Sequence, residues 1–136
     1  MIKPIMRDVM FLSQPSEAAT QADKQVITDL IDTLNAHLDG CVGMAANMIG
    51  VHKRIIVVRM GPLSVPMVNP EIVSKSGEYE AEEGCLSLTG VRKCRRYRDI
   101  EVSFQDASFL PRRMKYTGWI AQIIQHEIDH CNGVII

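Results

Sequence analysis

His126-Glu127-Ile128-Asp129-His130 constrains this chain more than any other feature in it. On a helix, positions i and i+4 share a face, so both imidazoles reach one metal ion only if the segment is helical. Glu127 then lies about one residue around the helix, close enough to accept a proton from an ion-bound water. The flanks agree with a helix. Trp119, Ile120, Ile123, Ile124 and Ile128 are apolar between Gly118 and about Cys131, and Asn132-Gly133 closes the run. The bland alternative is a solvated helix face that carries two histidines.

An ion held this way needs a further ligand. In the longer pattern H-E-x-x-H-x-x-G-x-x-H a third histidine follows; here Gly133 fits, but Ile136 holds the final position. The third donor is therefore sought upstream, among the cysteines, His37, His52 and the carboxylates around residues 78–83. The cysteines, at 41, 85, 94 and 131, form no C-x-x-C pair. The opening Met-Ile-Lys-Pro-Ile-Met-Arg-Asp is too interrupted by charge and proline for a signal-peptide core. A cytoplasmic chain with reduced thiols is expected, each cysteine being a small buried hydrophobe, a ligand or a nucleophile.

A second, N-terminal helix is predicted from Thr20 to Leu38, where Val26, Ile27, Leu30, Ile31, Leu34 and Leu38 recur at three and four. Thr20 suits its N-cap, with Asp23 three residues on, and Gly40 its end. Short strands follow at Ile55–Met60, Val65–Val68, Ile72–Val73, Glu78–Glu82, Leu86–Leu88 and Ile100–Phe104. Gly61-Pro62 reads as a turn and Asn69-Pro70 as a break, while residues 1–19 read as an irregular arm over the core. Strands between two helices predict an α+β fold: short mixed or antiparallel strands packed around a C-terminal metal-binding helix. A length of 136 residues predicts one domain, 1–136. A net charge of −1 offers no general attraction for DNA or an anionic membrane. The longest apolar runs, such as Ile55–Val58, fall far short of the roughly 20 residues of a membrane helix.

Three segments, in order along the chain, are similar to those of peptide deformylases. Cys41-Val42-Gly43-Met44-Ala45-Ala46-Asn47-Met48 resembles G-x-G-L-A-A-x-Q, Glu83–Ser87 matches E-G-C-L-S, and Gln125–His130 matches Q-H-E-x-D-H. With Gly118-Trp119-Ile120-Ala121 and Arg92, the likeness covers nearly the whole chain. The resemblance implies a hydrolase that removes the N-formyl group from the initiator methionine of newly made polypeptides and releases formate. Cys85, His126 and His130 would hold one divalent ion. Family members use Fe(II) in cells and also work with nickel, cobalt or, less well, zinc. Glu127 would be the general base, and the backbone N–H of Leu86 would donate to the developing oxyanion. Gln125 and Glu83 would orient the histidines, and Asp129 would pair with Arg96. Val42, Gly43, Glu83, Arg92, Trp119 and Ile123 would bind substrate, with Val42, Trp119 and Ile123 around the methionine side chain. The partners implied are formyl-methionyl nascent peptides. The basic stretch from Arg92 to Arg98 reads either as a solvated charged hairpin or as a transient contact with the ribosome.

Two residues depart from the pattern. Cys41 replaces a glycine, and Met48 replaces the glutamine whose amide would donate to the formyl oxygen. A thioether cannot donate, and losing one such donor typically costs about 10²–10³ in turnover. Two readings follow: a deformylase slowed by Met48, or a paralogue that binds N-terminal peptides with little or no turnover. Glu127 favours the enzyme.

Overall fold

In a computed structural model, which describes residues 1–85 and 88–134, the chain is organised around Ile55-Ile56-Val57-Val58. All four side chains are fully buried. Alternation along a strand puts Ile55 and Val57 on one face of the sheet and Ile56 and Val58 on the other, so both faces must be covered. Five antiparallel strands lie in sequence order: β1 (Gly43–Ala45), β2 (Ile55–Met60), β3 (Leu63–Cys85), β4 (Leu88–Gln105) and β5 (Pro111–Thr117). Helix α3 (Gly118–Cys131) covers one face, packing Ala121, Ile123, Ile124 and Ile128 onto Ile56, Val58, Met67, Ile100 and Val102. Helix α2 (Lys24–Asn35) covers the other, packing Ile27, Leu30 and Leu34 onto Met44, Ile55, Val57 and Val68. Each fully buried aliphatic side chain contributes roughly 1.5–3 kcal/mol. The fold is α+β, and its sheet is antiparallel throughout.

Helix α2 is shorter than its periodicity predicts. The Thr20 hydroxyl accepts from the Ala22 N–H at 3.3 Å and the Asp23 carboxylate from the Thr20 N–H at 2.8 Å, so the start is capped as expected. The first turn, Gln21–Asp23, is nevertheless 3₁₀, and the α-helix ends at Asn35. Leu38 packs on the same core from the turn that leads into β1.

The short strands expected at 65–68, 72–73 and 78–82 are one strand, β3. Asn69-Pro70 kinks it without ending it. The register slips between Val68 and Glu71, and Asn69 takes a φ of 51°. Its side chain secures that bend: Oδ1 accepts from the Ala19 N–H at 2.7 Å, and Nδ2 donates to Gln105 Oε1 at 2.9 Å. A bulge tolerates the proline that a regular ladder would reject. Of the strand expected at Leu86–Leu88, residues 86 and 87 lie outside the described residues, and Leu88 opens β4. β5 had no apolar signature because Arg112, Arg113 and Lys115 occupy an exposed strand paired only to β4. The N-terminal arm contains one short helix, α1 (Val9–Leu12), which buries Leu12. No helix among the described residues is long and apolar enough to cross a membrane.

Candidate metal centre

The end of β3 and the C-terminal half of α3 build the site. Glu83 and Cys85 are two residues apart on β3 and so share the face turned toward α3. On α3, His126 and His130 stand one turn apart with their Nε2 atoms 3.1 Å from each other. The donor atoms of Cys85, His126 and His130 all lie within 4.8 Å of one another.

These residues fit a metal ion. Two imidazole nitrogens turned toward one point at this separation are spaced as ligands about 2.1 Å from a shared ion would be. Burial and the neighbouring His126 push His130 down to about 3, so its imidazole is neutral. Burial also opposes charge on His126, but contacts with Cys85 and Glu83 outweigh it and raise that pKa. A proton shared between the two nitrogens must leave for both to bind an ion, as is usual for such sites. A thiolate with two imidazoles suits iron, cobalt, nickel or zinc better than magnesium or calcium. Cys41 does not compete: burial pushes its thiol up to about 12, and its Sγ donates to the Gly43 carbonyl at 2.9 Å.

A buried set of charges holds His126 in place. The His126 Nδ1–H donates to Glu83 Oε1 at 2.7 Å. Arg96 grips the same carboxylate with two bonds, Nη2 to Oε1 at 2.7 Å and Nε to Oε2 at 2.9 Å, and reaches Asp129 Oδ2 with Nη1 at 2.7 Å. Gln122 Nε2 adds a bond to Glu83 Oε2 at 2.8 Å and is itself held by the Tyr79 hydroxyl at 3.2 Å. Burial alone would raise the Glu83 pKa, but the donors His126, Arg96 and Gln122 hold it at about 2. Gln125 does something other than orient a histidine. Its amide exchanges bonds with Tyr97, accepting from N–H at 2.8 Å and donating to C=O at 2.7 Å, which ties α3 to β4. Gln122 and Tyr79 escaped the sequence reading; the available signal was that Gln122 lies one turn before His126 on the same helix face.

Glu127 stands outside this set of contacts. It is buried, its Oε1 has no hydrogen-bond partner among the described residues, and burial raises its pKa to about 7. A carboxyl so poised can take up and give back a proton near neutrality. It opens on a cavity of about 470 Å³ lined also by Val42, Gly43, Met48, Cys85, Trp119, Gln122, Ile123 and His126. Ile123 is buried, whereas Val42 and Trp119 are 37% and 62% exposed, an apolar rim at the mouth. Arg92, opposite Glu83 on β4, is half-buried and not among the cavity's lining residues. Leu86 lies outside the described residues.

A helix-borne His-Glu-x-x-His facing a strand-borne cysteine, with a cavity on the open side, brings together the donors and the acid–base group that metal-assisted hydrolysis requires. Comparison with known proteins narrows this. The family model for polypeptide deformylase matches residues 3–136. The peptide deformylase of Clostridium beijerinckii is 57% identical over 136 residues, which cover 100% of both chains. The crystal structure of a peptide deformylase from Legionella pneumophila superposes with a TM-score of 0.89 at 33% identity, covering 99% of this chain and 83% of that one. A Met-Ala-Ser-bound class I type b peptide deformylase from Acinetobacter baumannii superposes at 0.87 with 26% identity, covering 99% and 96%. The chain belongs to the polypeptide deformylase family.

Proposed function

We propose that this chain removes the formyl group from formyl-methionyl nascent peptides in the cytoplasm. The observation that carries the reading is Glu127: a buried carboxyl raised to about 7, unpartnered at Oε1, beside the Cys85, His126 and His130 donors on one cavity. Cys85, His126 and His130 would hold a divalent ion, Fe(II) in cells, which supplies a lowered water pKa and a polarised formyl carbonyl. Glu127 accepts the proton of the attacking water and delivers it to the leaving amine nitrogen, so formate and a free amino terminus separate. Glu83, clamped by Arg96, keeps His126 turned toward the ion. The backbone N–H of Leu86 is assigned to the oxyanion. Val42, Trp119 and Ile123 take the methionine side chain, and Gly43 lets the peptide approach. The Met-Ala-Ser bound by the Acinetobacter relative has the sequence of such a product. On the basic stretch, Lys93 and Arg95 pair with Glu80 and Glu78 at 3.8 and 3.4 Å, which favours a charged, solvated hairpin over a ribosomal contact.

One observation favours a second reading. Met48 lines the cavity at the position of the motif glutamine, so a side-chain donor to the oxyanion is replaced by a thioether. A peptide-binding paralogue would keep the donors and the cavity but release no formate. Anaerobically purified protein, assayed for formate release from formyl-Met-Ala-Ser with metal measured alongside, separates the two. Turnover that scales with bound metal supports the enzyme; metal-loaded protein that binds the peptide without releasing formate supports the paralogue.

A further inference from the structure

We propose that Asn47 is the positioning residue for His130, as Glu83 is for His126. The inference rests on the reading of Cys85, His126 and His130 as ligands. An imidazole that offers the lone pair of Nε2 to an ion carries its proton on Nδ1, and that N–H needs an acceptor when it is buried. His126 has one, since its Nδ1 lies 2.7 Å from Glu83 Oε1. His130 is 0% exposed, and its Nδ1 has no partner among the described residues.

The complementary atom sits on Asn47. This residue is 1% exposed, in the 3₁₀ turn Ala46–Ile49 that follows β1. Its Nδ2 donates to the backbone carbonyl of His130 at 3.0 Å, which docks the amide on the histidine it would serve. That leaves Asn47 Oδ1 buried and unpartnered. An acceptor without a donor and a donor without an acceptor thus lie on two residues already joined by a side-chain-to-backbone hydrogen bond. Through one buried water, Oδ1 accepts from the Nδ1–H and fixes both the tautomer and the tilt of the ring. The reading also gives the 3₁₀ turn a task. It brings a side chain from the first motif under the last turn of α3, which an extended segment would not do.

The test uses Co(II), which reports its coordination by visible absorption, with affinity measured by competition against a chromophoric chelator. Asn47→Leu keeps the volume and removes the acceptor. It should weaken Co(II) binding about 10–100-fold, the usual cost of losing such a partner, and alter the spectrum. Asn47→Asp keeps an acceptor for Nδ1–H and should bind more tightly than Asn47→Leu. Parent-like affinity and spectrum in Asn47→Leu would overturn the proposal, and so would an Asn47→Asp variant no better than Asn47→Leu. If Asn47→Leu does not fold, the zinc-loaded parent still decides. Its ¹⁵N-histidine spectrum should show a slowly exchanging His130 Nδ1–H close to the Asn47 amide, and a rapidly exchanging one defeats the assignment. A parent chain that binds no Co(II) at all would instead defeat the ligand reading.

Discussion

Gly43 lies against Glu127 so closely that a Cβ on the glycine would stand 2.9 Å from Glu127 Oε2 and 2.6 Å from Ile123 Cγ2. Its backbone needs no left-handed conformation; the requirement is space alone. Gly43→Ala should therefore push the carboxylate aside while Cys85, His126 and His130 keep their ion. We expect formate release to fall by about 10²-fold or more, since a small misplacement of a catalytic group is that costly. Stability should drop by about 1–3 kcal/mol from overpacking. Metal analysis and formate release on the same sample check both statements.

Alanine at Cys85, His126 or His130 should each remove about one equivalent of metal and abolish activity. Cys41, Cys94 and Cys131 should be dispensable for metal, because only Cys85 lies in the donor cluster among the described residues. Stoichiometric metal in Cys85→Ala would refute the three-donor site.

Glu127→Ala should separate holding the ion from using it. The carboxylate is assigned to proton transfer, so the variant should load fully and lose roughly 10²–10⁴-fold or more in turnover. Loss of metal together with activity would place Glu127 among the ligands.

Met48→Gln should restore an amide donor in the cavity. Such a donor acts mainly on the transition state, so kcat should rise about tenfold or more with little change in KM. Cys41 stands close by on the cavity wall, so the double change Cys41→Gly, Met48→Gln is the fairer test. If neither variant is faster with metal and fold intact, the peptide-binding reading takes precedence.

Arg96→Leu should be severely destabilising. Its guanidinium joins Glu83 to Asp129 with only 4% of the side chain exposed, and its removal leaves the Glu83 charge buried without the two bonds Arg96 gives it. Breaking a buried pair on one side costs about 3–5 kcal/mol, which denaturant unfolding at neutral pH would read directly. A loss below about 1 kcal/mol would mean that solvent reaches Glu83 and compensates.

The site was legible where chemistry requires residues at a fixed spacing. His126, Glu127 and His130 follow from helix geometry, and α3 runs from Gly118 to Cys131 as its apolar spacing predicts. Cys85 needed the resemblance, because a cysteine on a strand is most often a buried hydrophobe. Strand lengths were not legible. Asn69-Pro70 looks like an end, and only the bonds from Asn69 to Ala19 and Gln105 convert it to a bulge within β3. Gln125 shows a further limit. A polar residue beside a ligand reads as its support, yet the direction of its side chain along α3 sends it to the backbone of Tyr97. Contacts across the fold, such as Asn47 with His130, leave no local pattern to read.

The order of elements along the chain has a consequence during synthesis. All five strands precede α3, and the sheet they form contributes Cys85 and Glu83 but neither histidine nor the Glu127 carboxyl. A growing chain can pair each strand with its predecessor as it emerges, because the sheet order follows the sequence. What exists at that stage has Cys85 without the two histidines that complete its cluster. On the proposed reading the donor set and the general base come together in a single late step, when α3 settles on the sheet, and a copy stalled or cut before Gly118 has neither histidine.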